Sequence, residues 1–183
     1  FGPRVSPSVA AQAVRLSPEE IVGTPQYVST GLTFCITVLR DHAAFRTADP
    51  FYLNFSFGAT HAPIQVSRDY VESYVPTFEK GWDQTRSDRI KRQKAFGLLP
   101  ENTDLVPRNP EVPEWASLDG DHQKLFTRQQ AAYAGFLQHA DEQIGRMITE
   151  LKRLGLYENT IVLIMADNGA SPEGRQNGAV DIN

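Results

Sequence analysis

The sequence predicts an α/β fold, a mostly parallel sheet flanked by helices, and three observations carry that expectation. Residues 51–57, FYLNFSF, alternate apolar and polar side chains, the period of a strand with one covered face. Residues 160–166, TIVLIMA, form a short continuous apolar run rich in β-branched residues, which suits a strand buried on both faces. A long amphipathic helical pattern lies between them. Strand, helical crossover and second strand make the unit from which parallel sheets are built.

The remaining elements follow from local signals. Residues 1–26 mix Pro, Ser, Gly and Ala without a sustained period and read as a loop or frayed end. Thr24 and Pro25 form a cap and first-turn pair, after which Val28, Leu32, Cys35, Ile36, Leu39 and Ala43 recur at three- and four-residue steps, the stripe of an amphipathic helix. Asp49-Pro50 ends it, and Gly58 and Pro63 end the apolar alternation that follows. Residues 64–97 read as irregular first and helical from about Gln84, with charges on a solvated face. Pro100, Pro107, Pro110 and Pro113 forbid a helix or central strand over 98–118. Leu98, Leu99, Leu105, Val106, Val112 and Trp115 there suggest an ordered surface excursion rather than a linker. Ser117 and Asp119 are cap candidates for a helix running to about Leu154. Its stripe is Leu125, Ala132, Tyr133, Phe136, Ala140, Ile144, Met147, Ile148, Leu151 and Leu154, with Lys152, Arg153 and Gly155 as stop signals.

Composition sets bounds. The chain has 183 residues, 40% of them hydrophobic, enough for one globular core at roughly 150 residues per domain. The net charge of -4, from 22 acidic and 18 basic residues, does not favour nucleic acid. Cys35 is the only cysteine, so no internal disulfide can form. No signal-peptide pattern is visible, and the longest apolar run falls far short of the roughly 20 residues that span a bilayer. The chain starts at Phe1, so the expectation is an internal piece of a longer protein, of undetermined localisation.

In a parallel sheet, ligands gather outside the carboxyl ends of the strands. His61 follows the first predicted strand, and Asp167 and Asn168 follow the second. The pair offers a carboxylate and an amide oxygen, hard donors that suit Ca²⁺ or Mg²⁺, although Asp-Asn-Gly is also a turn sequence. A loop histidine can transfer protons near neutral pH or simply cap a backbone group. His42, His122 and His139 read as ordinary helical residues, Asp141 as a helix surface or packing polar group, and Cys35 as a small buried hydrophobe.

Longer stretches carry a resemblance. HAP at 61–63 after an aromatic strand, YAGFLQHADEQIGRMITELKRLG at 133–155, and ENTIVLIMADNGAS at 158–171 together resemble the type I sulfatase family of the alkaline-phosphatase-like superfamily. The stretch EKGWDQTRSDRIKRQKAFGLLPENTDLVPRNPEVPEWASL is similar to the bacterial arylsulfatase branch. The resemblance covers about residues 27–175. It implies a partial alkaline-phosphatase-like sandwich at 27–183, with 98–118 as a surface excursion. It implies His61 as the sulfate-contacting histidine and candidate proton donor, and Asp167 and Asn168 as half the ligands of one Ca²⁺. The family's formylglycine nucleophile would come from outside this chain. No Cys/Ser-x-Pro/Ala-x-Arg motif is present, since Cys35 is followed by Ile-Thr-Val-Leu-Arg. The amino-terminal acidic ligands and paired lysines of the family are missing too. Ala166 stands where Ser is common, Thr60 where Pro is common.

The expectation is therefore a fragment of a sulfuric ester hydrolase acting on small sulfate monoesters, aryl sulfates in the first place. The fragment alone is expected to be inactive. The alternatives are a phosphodiester or phosphonate monoester hydrolase of the same superfamily, and a non-catalytic sulfatase-like protein.

Overall fold

The computed structural model describes residues 25–61 and 64–166. Four α-helices follow in order: α1 (Pro25–Phe45), α2 (Arg68–Phe78), α3 (Gly81–Ala95) and α4 (Gly120–Arg153), with 3₁₀ turns at Trp115–Ser117 and Tyr157–Asn159. The chain divides into two units, and α4 contributes its first part to one and its second part to the other. One comprises the described residues up to 61 together with 139–166; the other comprises 64–138. No described helix is long and apolar enough to cross a membrane.

In the first unit, Leu32, Cys35 and Leu39 are buried, spaced three and four residues apart so that they share one face of α1. From α4 come Ala140 and Leu151, with His139, Gln143 and Glu150 also buried. A buried carboxylate needs compensation, and Glu150 has two partners. Arg153 donates from Nε to Oε2 at 2.9 Å and from Nη2 to Oε1 at 2.5 Å, while Arg40 of α1 donates from Nε to Oε1 at 2.7 Å. The α4 helix ends where the sequence predicts. Gly155 takes φ +70°, and the Leu156 N–H returns to the Leu151 carbonyl at 3.0 Å, which satisfies a carbonyl the last turn would leave bare. Its start is capped by Asp119, whose Oδ1 accepts from the backbone N–H of Asp121 and His122 at 3.0 and 2.9 Å.

The second unit departs further from the sequence reading. Residues 64–97 hold two helices instead of one, and α3 starts three residues before Gln84. Pro76 lies inside α2 and masks the helix to a reading that treats proline as a breaker; it lies in the last turn, where few bonds are at stake. Glu72 on α2 receives Arg68 at 3.2 Å and Arg128 of α4 at 3.0 Å. Gly135 lets α4 approach the backbone of Tyr70, where a Cβ would sit 2.9 Å from the carbonyl. Gly81 opens α3 at φ +80°. A side chain there would land inside the Trp115 indole.

The predicted sheet is not found. Among the described residues there is no β-strand, and neither 51–57 nor 160–166 enters a ladder. The α/β expectation, a mostly parallel sheet flanked by helices, is thereby corrected to a helical structure. The reason is that a strand is not a local object: its N–H and C=O groups are satisfied only by a neighbouring chain, whereas a helix satisfies its own. Residues 51–57 keep their period of two, with Phe51, Leu53, Phe55 and Phe57 less exposed than Tyr52, Asn54 and Ser56. The run 160–166 does not find the two-sided burial its composition predicts. Ile161, Leu163, Ile164 and Met165 are 88, 75, 69 and 79% exposed. The stripe of α4 also differs, because Leu125 and Tyr133 are exposed while Thr127, Gln143 and Glu150 are buried.

Two outcomes follow from this packing. The Arg153 and Arg40 guanidinium groups bring the Glu150 carboxyl from 4.5 down to about 2. A carboxyl more acidic when folded than when unfolded adds stability above its unfolded pKa, and that stability is lost as pH falls through the folded value. Glu150→Gln is expected to lower the urea midpoint at neutral pH, with the gap to the unsubstituted chain closing as pH falls from 4.5 to about 2. A gap that does not change with pH would contradict this. Gly81→Ala, which combines positive φ with overlap on Trp115, is expected to cost about 2 kcal/mol or more in urea unfolding.

Candidate functional site

Of the three residues that sequence singles out, His61 alone falls among the described residues. It ends a tight turn after the aromatic segment, in which its backbone N–H donates to the Gly58 carbonyl at 2.7 Å, and its side chain is exposed. The turn is approached through packed rings. His42 of α1 lies 5.0 Å from Phe51, and Phe55 lies 5.1 Å from Phe57, centroid to centroid. These contacts order the segment that leads to His61. Asp167 and Asn168 lie outside the described residues, so the structure neither brings them to His61 nor separates them from it.

The donor set at 167–168 is chemically suited to a hard cation. A carboxylate and an amide oxygen are donors of the kind Ca²⁺ takes, six to eight oxygens at a time, so two such residues would supply only part of a shell. Among the described residues no group of three or more His, Cys, Asp or Glu could hold a metal ion. Three further titratable groups, Cys35, His122 and His139, have structural surroundings that account for them. Cys35 is buried, and burial pushes its thiol up from the ordinary value, the reverse of what activates a nucleophile. His122 sits 2.7 Å from the Asp119 carboxylate at the start of α4. Burial pushes the His139 imidazole down, which favours its neutral form.

A second arrangement, which the sequence reading did not find, lies in the unit formed by 64–138. The segment after α3 is tied back to that helix by charged and polar groups. Asp83 accepts from the Trp115 backbone N–H at 2.9 Å and from Arg108 Nη1 at 3.1 Å. That backbone bond first, and Arg108 second, hold its carboxyl below the ordinary range. Arg108 also reaches the Val112 carbonyl at 2.9 Å and Glu114 at 3.3 Å. The Trp82 indole N–H donates to the Pro113 carbonyl at 3.0 Å, and its ring meets Trp115 edge-on at 4.9 Å and Phe126 at 5.5 Å. Arg86 donates to the Val106 carbonyl at 2.7 Å. Between α3 and this segment lies an open cleft of about 450 Å³ lined by Trp82, Arg86, Pro107, Arg108, Asn109 and Val112. The sequence signal was Trp82, Asp83 and Arg86 within one turn of helix, ahead of a proline-rich run. With Trp82 and Asp83 read as irregular and Arg86 as part of a solvated helical face, it gave no hint of what would fold over it.

Comparison with known proteins adds the family context. The sulfatase family model matches residues 32–182. Over 121 residues the chain is 34% identical to an uncharacterized sulfatase of Schizosaccharomyces pombe, covering 66% of this chain and 22% of that protein. It is similar to an arylsulfatase of Klebsiella aerogenes, 31% identical over 123 residues, with 67% of this chain and 26% of the relative covered. An arylsulfatase of Clostridium perfringens is 28% identical over 120 residues, 66% of this chain and 22% of the relative. The matched part thus spans about a quarter of the length of these relatives.

Proposed function

The chain belongs to the sulfatase family, and from that membership we propose that the complete protein hydrolyses small sulfate monoesters, aryl sulfates foremost. The observation that carries this reading is the extent of the family match, which runs from 32 to 182, a span that includes His61, Asp167 and Asn168. Two of the relatives bear the name arylsulfatase, which supports the aryl preference.

In this reading His61 serves as the proton donor. Cleaving the S–O bond of a sulfate ester leaves an alkoxide or phenoxide, and a positioned imidazolium that protonates the departing oxygen lowers the barrier. The exposed position at the end of the Gly58–His61 turn suits a group that must meet an incoming ligand. Asp167 and Asn168 would hold part of the shell of one Ca²⁺, which when bound supplies positive charge to the sulfuryl oxygens. The nucleophile, a formylglycine, comes from another part of the complete protein, since no Cys/Ser-x-Pro/Ala-x-Arg motif occurs in these 183 residues.

Leaving-group dependence tests the role of His61. In the complete protein, His61→Ala is expected to lower kcat for an alkyl sulfate by about 10²- to 10⁴-fold and to lower it far less for 4-nitrophenyl sulfate, whose leaving group departs without a proton. Equal losses on both substrates would remove His61 from that role. For the metal, Asp167→Ala and Asn168→Ala are each expected to raise the Ca²⁺ concentration needed for half-maximal turnover after chelation and titration. Activity that survives chelation, or an unchanged Ca²⁺ requirement in both variants, would count against the assignment.

A further inference from the structure

Nothing in the hydrolytic reading uses the apolar side chains of 161–165. Ile161, Leu163, Ile164 and Met165 are all at least 69% exposed, a contiguous run of the kind that marks an interaction surface. The backbone is as open as the side chains. The Thr160 N–H is bonded to the Tyr157 carbonyl at 3.1 Å, but beyond it the N–H and C=O groups of 161–166 reach no other backbone group among the described residues. The run is free of turns and bends, and a segment with a row of unused donors and acceptors is a template for another strand. It is apolar on both sides, because Ile161, Leu163 and Met165 alternate with Val162 and Ile164.

The composition of the run identifies its partner. From Asn159 to Ala166 there is no charged residue, no Pro and no Gly, while Glu158 and Asp167 bound the run with negative charge. Uncharged segments of six or seven residues with high β-propensity are those that pair with their own copies, whereas a polar or charged strand would lose hydration against the apolar side chains without compensation. Register follows from the same residues. Antiparallel pairing centred on Leu163 sets Ile161 against Met165 and Val162 against Ile164, so every position from 161 to 165 meets an apolar one. Parallel pairing in register would set Glu158 against Glu158 and Asp167 against Asp167, and like charges directly opposite are unfavourable.

We propose that residues 161–166 are the surface through which two copies of this chain associate, as antiparallel strands centred on Leu163. Ile161, Leu163 and Met165 of both copies then share one face of the ribbon. A two-stranded ribbon is marginal in water, so this larger face packs on that of a second ribbon and the assembly grows past the dimer as concentration rises.

Sedimentation velocity of the 183-residue chain is expected to show an average mass that rises with concentration from the 20.4 kDa of a single copy. Hydrogen exchange within 161–166 is expected to slow over the same range. Leu163→Lys and Leu163→Glu each set two like charges face to face at the centre of the pair, and each is expected to weaken association on the order of tenfold or more. Mixed in equal amounts, the two variants are expected to associate again, because opposite charges then meet at that position. The Leu163 side chain is exposed, so both variants keep their helices, which circular dichroism checks. Phe45→Lys, at an exposed side chain at the end of α1, is expected to leave association unchanged. A single copy at every concentration, association that Leu163→Lys leaves intact or that Phe45→Lys weakens equally, or a mixture of the two Leu163 variants that stays apart would each overturn the proposal. So would a monomer that binds phosphatidylcholine vesicles through Leu163, which would assign the run to a lipid surface.

Discussion

Every backbone N–H and C=O withdrawn from water must find a partner, and in this chain that requirement separates what forms locally from what does not. The four helices satisfy it within themselves, and their ends are closed by groups a few residues away. Asp119 caps the start of α4, and Leu156 returns its N–H to Leu151 beyond the Gly155 turn. At the end of α3 the same device recurs, with Gly97 at φ +69° and Leu98 bonded back to Gln93 at 2.9 Å. Residues 51–57 and 160–166 have no such resource. Their side-chain patterns favour strands, but a ladder needs a second chain segment at the right distance, and none is present among the described residues.

Where regular pairing stops, charged side chains take over the task of fixing the backbone. Asp83 gathers a backbone N–H and a guanidinium at the start of α3, and Arg108 in turn reaches a carbonyl and a second carboxylate. A segment with three prolines between 107 and 113 can give few backbone hydrogen bonds of its own, so its position is set by these side-chain bonds and by the Trp82–Trp115 contact. Partly exposed ion pairs are individually worth little. In this segment they act with hydrogen bonds to backbone atoms, and that combination confers geometry. Glu150 follows the same logic in the other unit, where two arginines make a buried carboxylate tolerable and join α1 to α4.

The candidate chemistry was legible to a different degree from the fold. His61, Asp167 and Asn168 stand out in the sequence because each follows an apolar run, and the order of such runs survives in sequence whether or not neighbouring strands are in place. The match across 32–182 rests on the same kind of information. The cleft at Trp82 and Arg86 left no comparable trace. Its walls come from residues about 20 positions and more apart, and no periodicity links position 82 to 107 or 86 to 106. Helix α2 was hidden for a local reason, a proline in its last turn.

By itself the sequence determined the helices α1 and α4 with their stops, the buried character of Cys35 and the family. These are properties of short windows or of ordered motifs, set by side-chain period, capping groups and residue type. Only the tertiary structure decided that the apolar runs at 51–57 and 160–166 stand without a ladder, that Glu150 rather than Tyr133 faces inward on α4, and that the proline-rich segment folds over α3 to leave a cleft. Each of those outcomes depends on which distant groups arrive within hydrogen-bonding or van der Waals reach, and distance in space is not written in any local pattern.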